Sequence, residues 1–136
     1  MDLVKSMIIA ASGLKAQSGR MRVISENIAN ANSTGKAPGE DPYRRKIVSF
    51  ESHLDRNLNA SLVKVGRPQM DRSDFTLSYQ PGHPAADENG YVKMPNVNSL
   101  IESMDMREAQ RSYEANLNLI EASRRMLSRT IDLLRR

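Results

Sequence analysis

The sequence predicts a mainly α fold. Long N- and C-terminal helices pack as a coiled-coil-like pair, with a small, irregular, β-rich insertion between them. Three observations predict it. From Asn96 to Arg136 there is neither Gly nor Pro to interrupt a helix. From Leu3 to Ile28 apolar and small residues recur at alternating steps of four and three. All six prolines and five of the six aromatic residues fall between Pro38 and Pro95. The chain therefore divides into an N-terminal helix (residues 1–32), an insertion (33–95) and a C-terminal helix (96–136).

In the N-terminal helix, Leu3, Met7, Ala10, Leu14, Gln17, Met21, Ile24 and Ile28 form an unbroken a/d seam, the pattern that packs helices side by side. Asp2 is placed to cap the start, and Asn30 to Gly35 reads as the stop. Ala11, Ser12, Gly13, Ala16, Ser18 and Gly19 make the middle thin enough for close approach. Gly13 and Gly19 each cost up to about 1 kcal/mol of helix propensity, so this helix is weak alone. Asn27 and Asn30 stand at the polar end of the seam. Asn is a poor mid-helix residue, and the two share one face. Simple helix termination competes here with a second reading, in which their amides cap the backbone of a neighbouring segment.

The insertion opens as loop, with Gly35, Pro38, Gly39 and Pro42 close together. Arg45 to Phe50 alternates weakly and predicts a strand. Glu51 to Ser61 is polar and reads as a mobile loop or a helical turn. Leu62 to Val65 is a short β-type run ended by Gly66. Phe75, Leu77 and Tyr79 alternate with polar residues, a half-buried strand signal. Pro81-Gly82-His83-Pro84 is a turn. Asn89-Gly90 is a hairpin signal, with Tyr91 to Met94 as the returning strand.

The C-terminal helix starts after Pro95, where Ser99 and Glu102 have the spacing of a capping box. Tyr113, Leu117, Ile120, Leu127, Ile131 and Leu134 then form one stripe, with Arg124 at the missing step. At about 1.5 Å per residue, Ser99 to Leu134 spans roughly 54 Å. A helix of that length needs another long helix against it. Periodicity leaves open whether the partner is only the chain's own N-terminal helix or also other copies of the chain.

Composition limits the function. Hydrophobic residues make up 39% and aromatic residues 4%, with no Trp, which excludes a large aromatic core. Eight Met suit adaptable helix contacts. The net charge of +4, from 20 basic and 16 acidic residues, is small and spread out. Arg124, Arg125, Arg129, Arg135 and Arg136 cluster in the last turns of a helix, where the dipole favours cations. No stretch interleaves basic and aromatic residues as single-strand binders do. With no Cys, there is neither a disulfide framework nor a thiolate metal site. No cleaved signal peptide and no membrane-spanning run are expected. His53 and His83 are the only histidines. His83 reads as a turn residue, because a metal site would need further ligands. No nucleophile elbow, phosphate-binding loop or dinucleotide fingerprint occurs. No enzymatic activity, metal or cofactor is expected.

Ser25-Glu26-Asn27-Ile28-Ala29-Asn30-Ala31-Asn32-Ser33-Thr34-Gly35 resembles the signature that ends the N-terminal helix of bacterial flagellar axial proteins, the rod and hook class. Within that class, further stretches resemble the proximal-rod family of the FlgC type: Pro42-Tyr43-Arg44-Arg45-Lys46, Pro81-Gly82-His83-Pro84-Ala85-Ala86-Asp87 with Gly90-Tyr91-Val92, and Met94-Pro95-Asn96-Val97-Asn98. Arg111-Ser112-Tyr113-Glu114-Ala115-Asn116 fits the family's C-terminal helix. Residues 33–41 depart from the pattern, with Lys36-Ala37-Pro38-Gly39-Glu40 as a variable connection.

The resemblance implies a structural subunit of the flagellar basal body, polymerised helically into the drive shaft that crosses the periplasm. It implies export through the flagellar type III apparatus without a cleaved signal, and partners that are copies of the chain and other rod proteins. Nucleic acid binding and direct membrane insertion are not expected. The subunit interface would comprise Leu3, Met7, Leu14, Met21, Ile24, Asn27, Ile28 and Asn30 on the first helix. On the second it would comprise Tyr113, Asn116, Leu117, Ile120, Leu127, Ile131 and Leu134. Both ends are expected to be largely disordered in the free subunit and helical once assembled. The competing reading from another class is a basic coiled-coil adaptor for nucleic acid or another anionic partner, whose binding would fall steeply with salt.

Overall fold

The computed structural model describes residues 2–135. Two long helices, α1 (Leu3–Ala29) and α2 (Ser99–Leu134), enclose six short strands in sequence. The strands are β1 (Lys46–Ile47), β2 (Phe50–Asp55), β3 (Ala60–Val65), β4 (Gln69–Met70), β5 (Thr76–Tyr79) and β6 (Tyr91–Met94). They form three separate antiparallel pairs, β1–β4, β2–β3 and β5–β6. The predicted architecture of terminal helices around a small β-rich region is therefore present. None of the described helices is long and apolar enough to cross a membrane.

The chain forms two compact units, each drawing on both helices and on the stretch between them. The first unit joins α1 up to Met21, Ser49–Arg67 and α2 from Arg107. Asp2 caps α1 as expected, its Oδ1 accepting from the N–H of Lys5 at 3.1 Å. Residue 13 of α1 lies against Asn116, since a Cβ on Gly13 would come within 2.9 Å of Asn116 Nδ2. Further along α1, Arg20 pairs with Glu108 at 3.5 Å. Moving from Gly13 to Arg20 steps back from Asn116 to Glu108, so the helices run antiparallel in this unit. The β2–β3 hairpin lies along α1: the Val63 N–H donates to Ser12 Oγ at 3.2 Å, and Val65 faces Gly19. The buried residues of this unit are Ala10, Ala16, Ala60, Gly66, Ala109 and Ser123.

That hairpin corrects the reading of Glu51 to Ser61 as a loop or helical turn. Phe50 pairs with Val65 and Asp55 with Ala60. Asp55 Oδ1 accepts from the N–H groups of Asn57 and Leu58, and Asn59 takes a left-handed φ of 46°. The strand escaped notice because almost all of β2 is exposed, so no apolar alternation marks it. The strand expected over Arg45 to Phe50 also divides: Lys46–Ile47 pair with β4, while Phe50 opens β2 in the other unit.

The second unit comprises Arg22–Val48 and Pro68–Met106. Its buried residues are Val23, Ile24, Asn27, Pro42, Ala85, Gly90, Val92, Pro95 and Glu102. Tyr79 and Tyr91 meet edge-on across β5–β6, 5.3 Å between centroids. The Arg44 guanidinium covers the Phe75 ring at 4.2 Å. Residues 80–90 connect β5 to β6, so Asn89-Gly90 is not a two-residue hairpin turn. It closes a local turn instead, with Asp87 Oδ1 accepting from the N–H of Asn89 and Tyr91, and Gly90 at φ 84°. His83 Nδ1 accepts from the Ala85 N–H, which places His83 in the turn.

The capping box at the start of α2 is not formed as expected. Asn98 caps instead, its Oδ1 accepting from the N–H of Leu100 and Ile101. The Glu102 carboxylate turns away from the helix start and into the second unit, where cationic and amide donors hold it.

Candidate assembly site

The end of α1 and the start of α2 are joined by one polar network in the second unit, built on Asn27. The Asn27 side chain is 1% exposed. Its Nδ2 donates to the Lys46 carbonyl at 2.8 Å and to Glu102 Oε2 at 3.1 Å. Its Oδ1 accepts from the Lys46 N–H and the Tyr43 hydroxyl, both at 2.9 Å. The amide therefore pairs with both backbone groups of Lys46, as a neighbouring strand would. β1 is closed on one edge by β4 and on the other by a single side chain.

Glu102 is 1% exposed and must have its charge met. The Arg45 Nε donates to its Oε1. The same guanidinium reaches Asp71 Oδ2 at 3.4 Å and Asp105 at 3.9 Å. Burial alone pulls the Arg45 guanidinium down, but hydrogen bonds and charge from Glu102 and Asp71 outweigh it and raise its pKa. The Ser73 N–H, with help from Arg45, holds the Asp71 carboxyl below its usual range. Burial pushes the Tyr43 phenol up, so it stays a donor to Asn27. Asn96 completes the frame: its Oδ1 accepts from the Arg45 N–H at 2.8 Å, and its Nδ2 donates to the Asp71 carbonyl at 3.1 Å.

Asn30 does something different from Asn27. Its Nδ2 donates to the Glu26 carbonyl of its own helix at 2.9 Å, and Ser33 donates to its Oδ1. Helix termination describes Asn30; bridging to a neighbouring segment describes Asn27. The network holds no reactive nucleophile beside a base. Its geometry fixes segments relative to one another within this unit.

A family model described as "Flagella basal body rod protein" matches residues 7–35, and one described as "Flagellar basal body rod FlgEFG protein C-terminal" matches residues 88–133. The chain is 60% identical to the flagellar basal-body rod protein FlgC of Agrobacterium fabrum, over 93% of this chain and 91% of that protein. It is 39% identical to the FlgC of Salmonella typhimurium, over 98% of each chain. It is 39% identical to the FlgC of Bacillus subtilis, over 98% of this chain and 99% of that one. The chain belongs to the FlgC family of flagellar basal-body rod proteins.

In this FlgC-family chain the network gathers residues from three stretches that carried the resemblance: Asn27; Tyr43, Arg45 and Lys46; and Asn96. Glu102 joins them from the next turn of α2. Sequence reasoning singled out Asn27 but missed Tyr43, Lys46 and Glu102 as its partners, and Arg45 and Asn96 behind them. For Tyr43, Arg45, Lys46 and Asn96 the signal was their place in the motifs quoted above; Glu102 stood out only through its spacing from Ser99.

The residues expected at the subunit interface fall into three groups. Ile24 and Asn27 are buried within the chain. Leu3, Met7, Leu14, Met21, Ile28, Asn30, Tyr113, Asn116, Ile120 and Leu127 are half-buried. Leu117, Ile131 and Leu134 are exposed, by 41%, 54% and 84%. In the first unit, the inward line of α2 runs through Ala109, Tyr113, Asn116, Ile120, Ser123 and Leu127. It takes Asn116 and Ser123 where the predicted stripe had Leu117 and Arg124. Small and polar side chains suit that face, because α1 approaches closely at Gly13. Leu117, Leu119, Met126 and Leu133 are left exposed off that line, while Ile131 and Leu134 continue it beyond the start of α1 and are exposed there.

Proposed function

We propose that this chain is a non-enzymatic structural subunit of the flagellar basal-body rod. It joins copies of itself and other rod proteins through its terminal helices, which pair in coiled-coil fashion within and between subunits. It reaches the rod, which crosses the periplasm, by type III export without a cleaved signal. The observation that carries this reading is the apolar surface that α2 leaves uncovered, off its inward line and along its last turns. Its large apolar residues stay exposed while the fully buried residues of the first unit are four alanines, a serine and a glycine. A helix apolar on a face its own chain does not cover needs a neighbour. Relatives named for the rod supply the identity of that neighbour's assembly. The same relatives argue against the basic-adaptor reading. Ordering each residue costs about 1–2 kcal/mol, so the thin core supports terminal helices that become fully stable only on assembly.

The test is Ile131→Asp in cells lacking the native chain. Ile131 is already exposed, so the subunit fold should survive. Rod assembly, scored by isolation of basal bodies and by motility, should be lost. Normal motility with Ile131→Asp would remove the α2 face from the account.

A further inference from the structure

α2 ends in a tip that is both apolar and basic. Leu133 and Leu134 are exposed by 73% and 84%, and Arg129 and Arg135 beside them are exposed as well. The second unit carries a surface of opposite character. A cavity of about 90 Å³ there is lined by Leu77, Ala85 and Tyr91 together with Glu40, Asp87 and Lys93. Lys93 is met by Asp41 at 3.4 Å. Leu77 and Tyr91 are open to solvent. The contrast extends to each unit as a whole. The first holds 13 basic and 7 acidic residues, a net +6; the second holds 7 basic and 9 acidic, a net −2.

We infer that the C-terminal tip of α2 from a second copy of this chain seats on this β5–β6 face, a leucine entering the cavity and an arginine lying against Glu40 and Asp87. The inference rests on the rod-subunit reading and adds which surface receives which. Opposite charge selects this pairing over tip against tip, where like charges repel. Because the two surfaces differ, the contact is heterologous. Repeated without closing, a heterologous contact generates an open helical array rather than a ring. The ionic part is screened by salt, while the leucine in its cavity is not.

The chain has no cysteine, so single substitutions report contacts cleanly. Cells would express two forms together, Leu77→Cys and Leu134→Cys, and isolated basal bodies would be treated with a short bis-maleimide. Each chain carries one thiol, so no cross-link forms within a single chain. The mixed dimer should exceed either homodimer several-fold, and adding Leu133→Asp to the Leu134→Cys form should abolish it. Dominant homodimers through position 134 would show that tips pair with tips and would overturn the inference. Cross-links only to another rod protein would overturn it too, while leaving the rod-subunit reading intact. Basal bodies that lack the chain altogether would overturn that reading itself.

Discussion

Asn27 uses all of its amide's hydrogen-bonding capacity, two bonds donated and two accepted. The orientation of the amide follows from its partners. Reversing it would set oxygen against the Lys46 carbonyl and Glu102, and nitrogen against two donors. Asn27→Ala should destabilise the purified chain by about 3 kcal/mol, because it leaves buried partners unmet at roughly 1–3 kcal/mol each. The urea midpoint measures it. Asn27→Asp should be no better, since a carboxylate would face Glu102 at the position where Nδ2 now donates. Tyr43 adds a pH dependence. Its phenol is raised above 10.0, chiefly by burial, and Lys46 is raised above 10.5, chiefly by its hydrogen bond to Glu26. A raised folded pKa gives stability that is present below the unfolded value and lost as pH rises through the folded one. The urea midpoint should therefore fall as pH climbs above about 10. Tyr43→Phe should remove part of that slope, leaving the part due to Lys46; an unchanged slope would contradict the assignment. At this scale the sequence marked Asn27 through its polar place on an apolar seam. It did not mark the Arg45–Glu102 pair, because an ion pair between distant residues leaves no periodic trace.

The two helices were legible as elements, and the face they share was not. The unbroken a/d seam of α1 has no exposed member. The apolar stripe of α2, in contrast, includes Leu117, Ile131 and Leu134, which the chain itself leaves exposed, the last two because α2 runs on past the start of α1. Periodicity finds apolar faces without saying which neighbour covers them. Gly13 shows what sets the inner face instead. A Cβ there would meet the end of the Asn116 side chain, which itself donates to the Ser112 carbonyl at 3.1 Å. Gly13→Ala alone should change stability little, because the gain in helix propensity is offset by displacing Asn116. In an Asn116→Ala background the same change should stabilise by up to about 1 kcal/mol. Thermal melts of the four chains would show it, and additive effects would contradict the close approach. Within the hairpin the Leu62–Val65 run marked β3, but β2 was illegible for a related reason: a strand wet on both faces carries no alternation, and only Asp55 and Asn59 hint at the turn.

As a whole molecule, the chain places more large apolar side chains at its surface than in its core. Among the described residues the buried hydrophobic set is Ala10, Ala16, Val23, Ile24, Ala60, Ala85, Val92 and Ala109. Five of these eight are alanines, and each buries only about 0.8 kcal/mol of methyl group. Such a core orders the polar network and brings two thin helices together, but it leaves the outer face of α2 unsatisfied. That imbalance makes sense for a subunit completed by its neighbours in the basal-body rod. It also explains why composition, read alone, excluded an aromatic core correctly yet gave no architecture for assembly. The most direct measurement uses a single thiol at Leu117→Cys, on the outward face of α2 in a chain otherwise free of cysteine. Its rate of maleimide labelling would be compared in dilute purified subunit and in isolated basal bodies from motile cells. The account predicts rapid labelling of the free subunit and strong protection in the assembled rod. Equally fast labelling in both would mean that the outer face stays open to water after assembly, and the face would then have no part in building the rod.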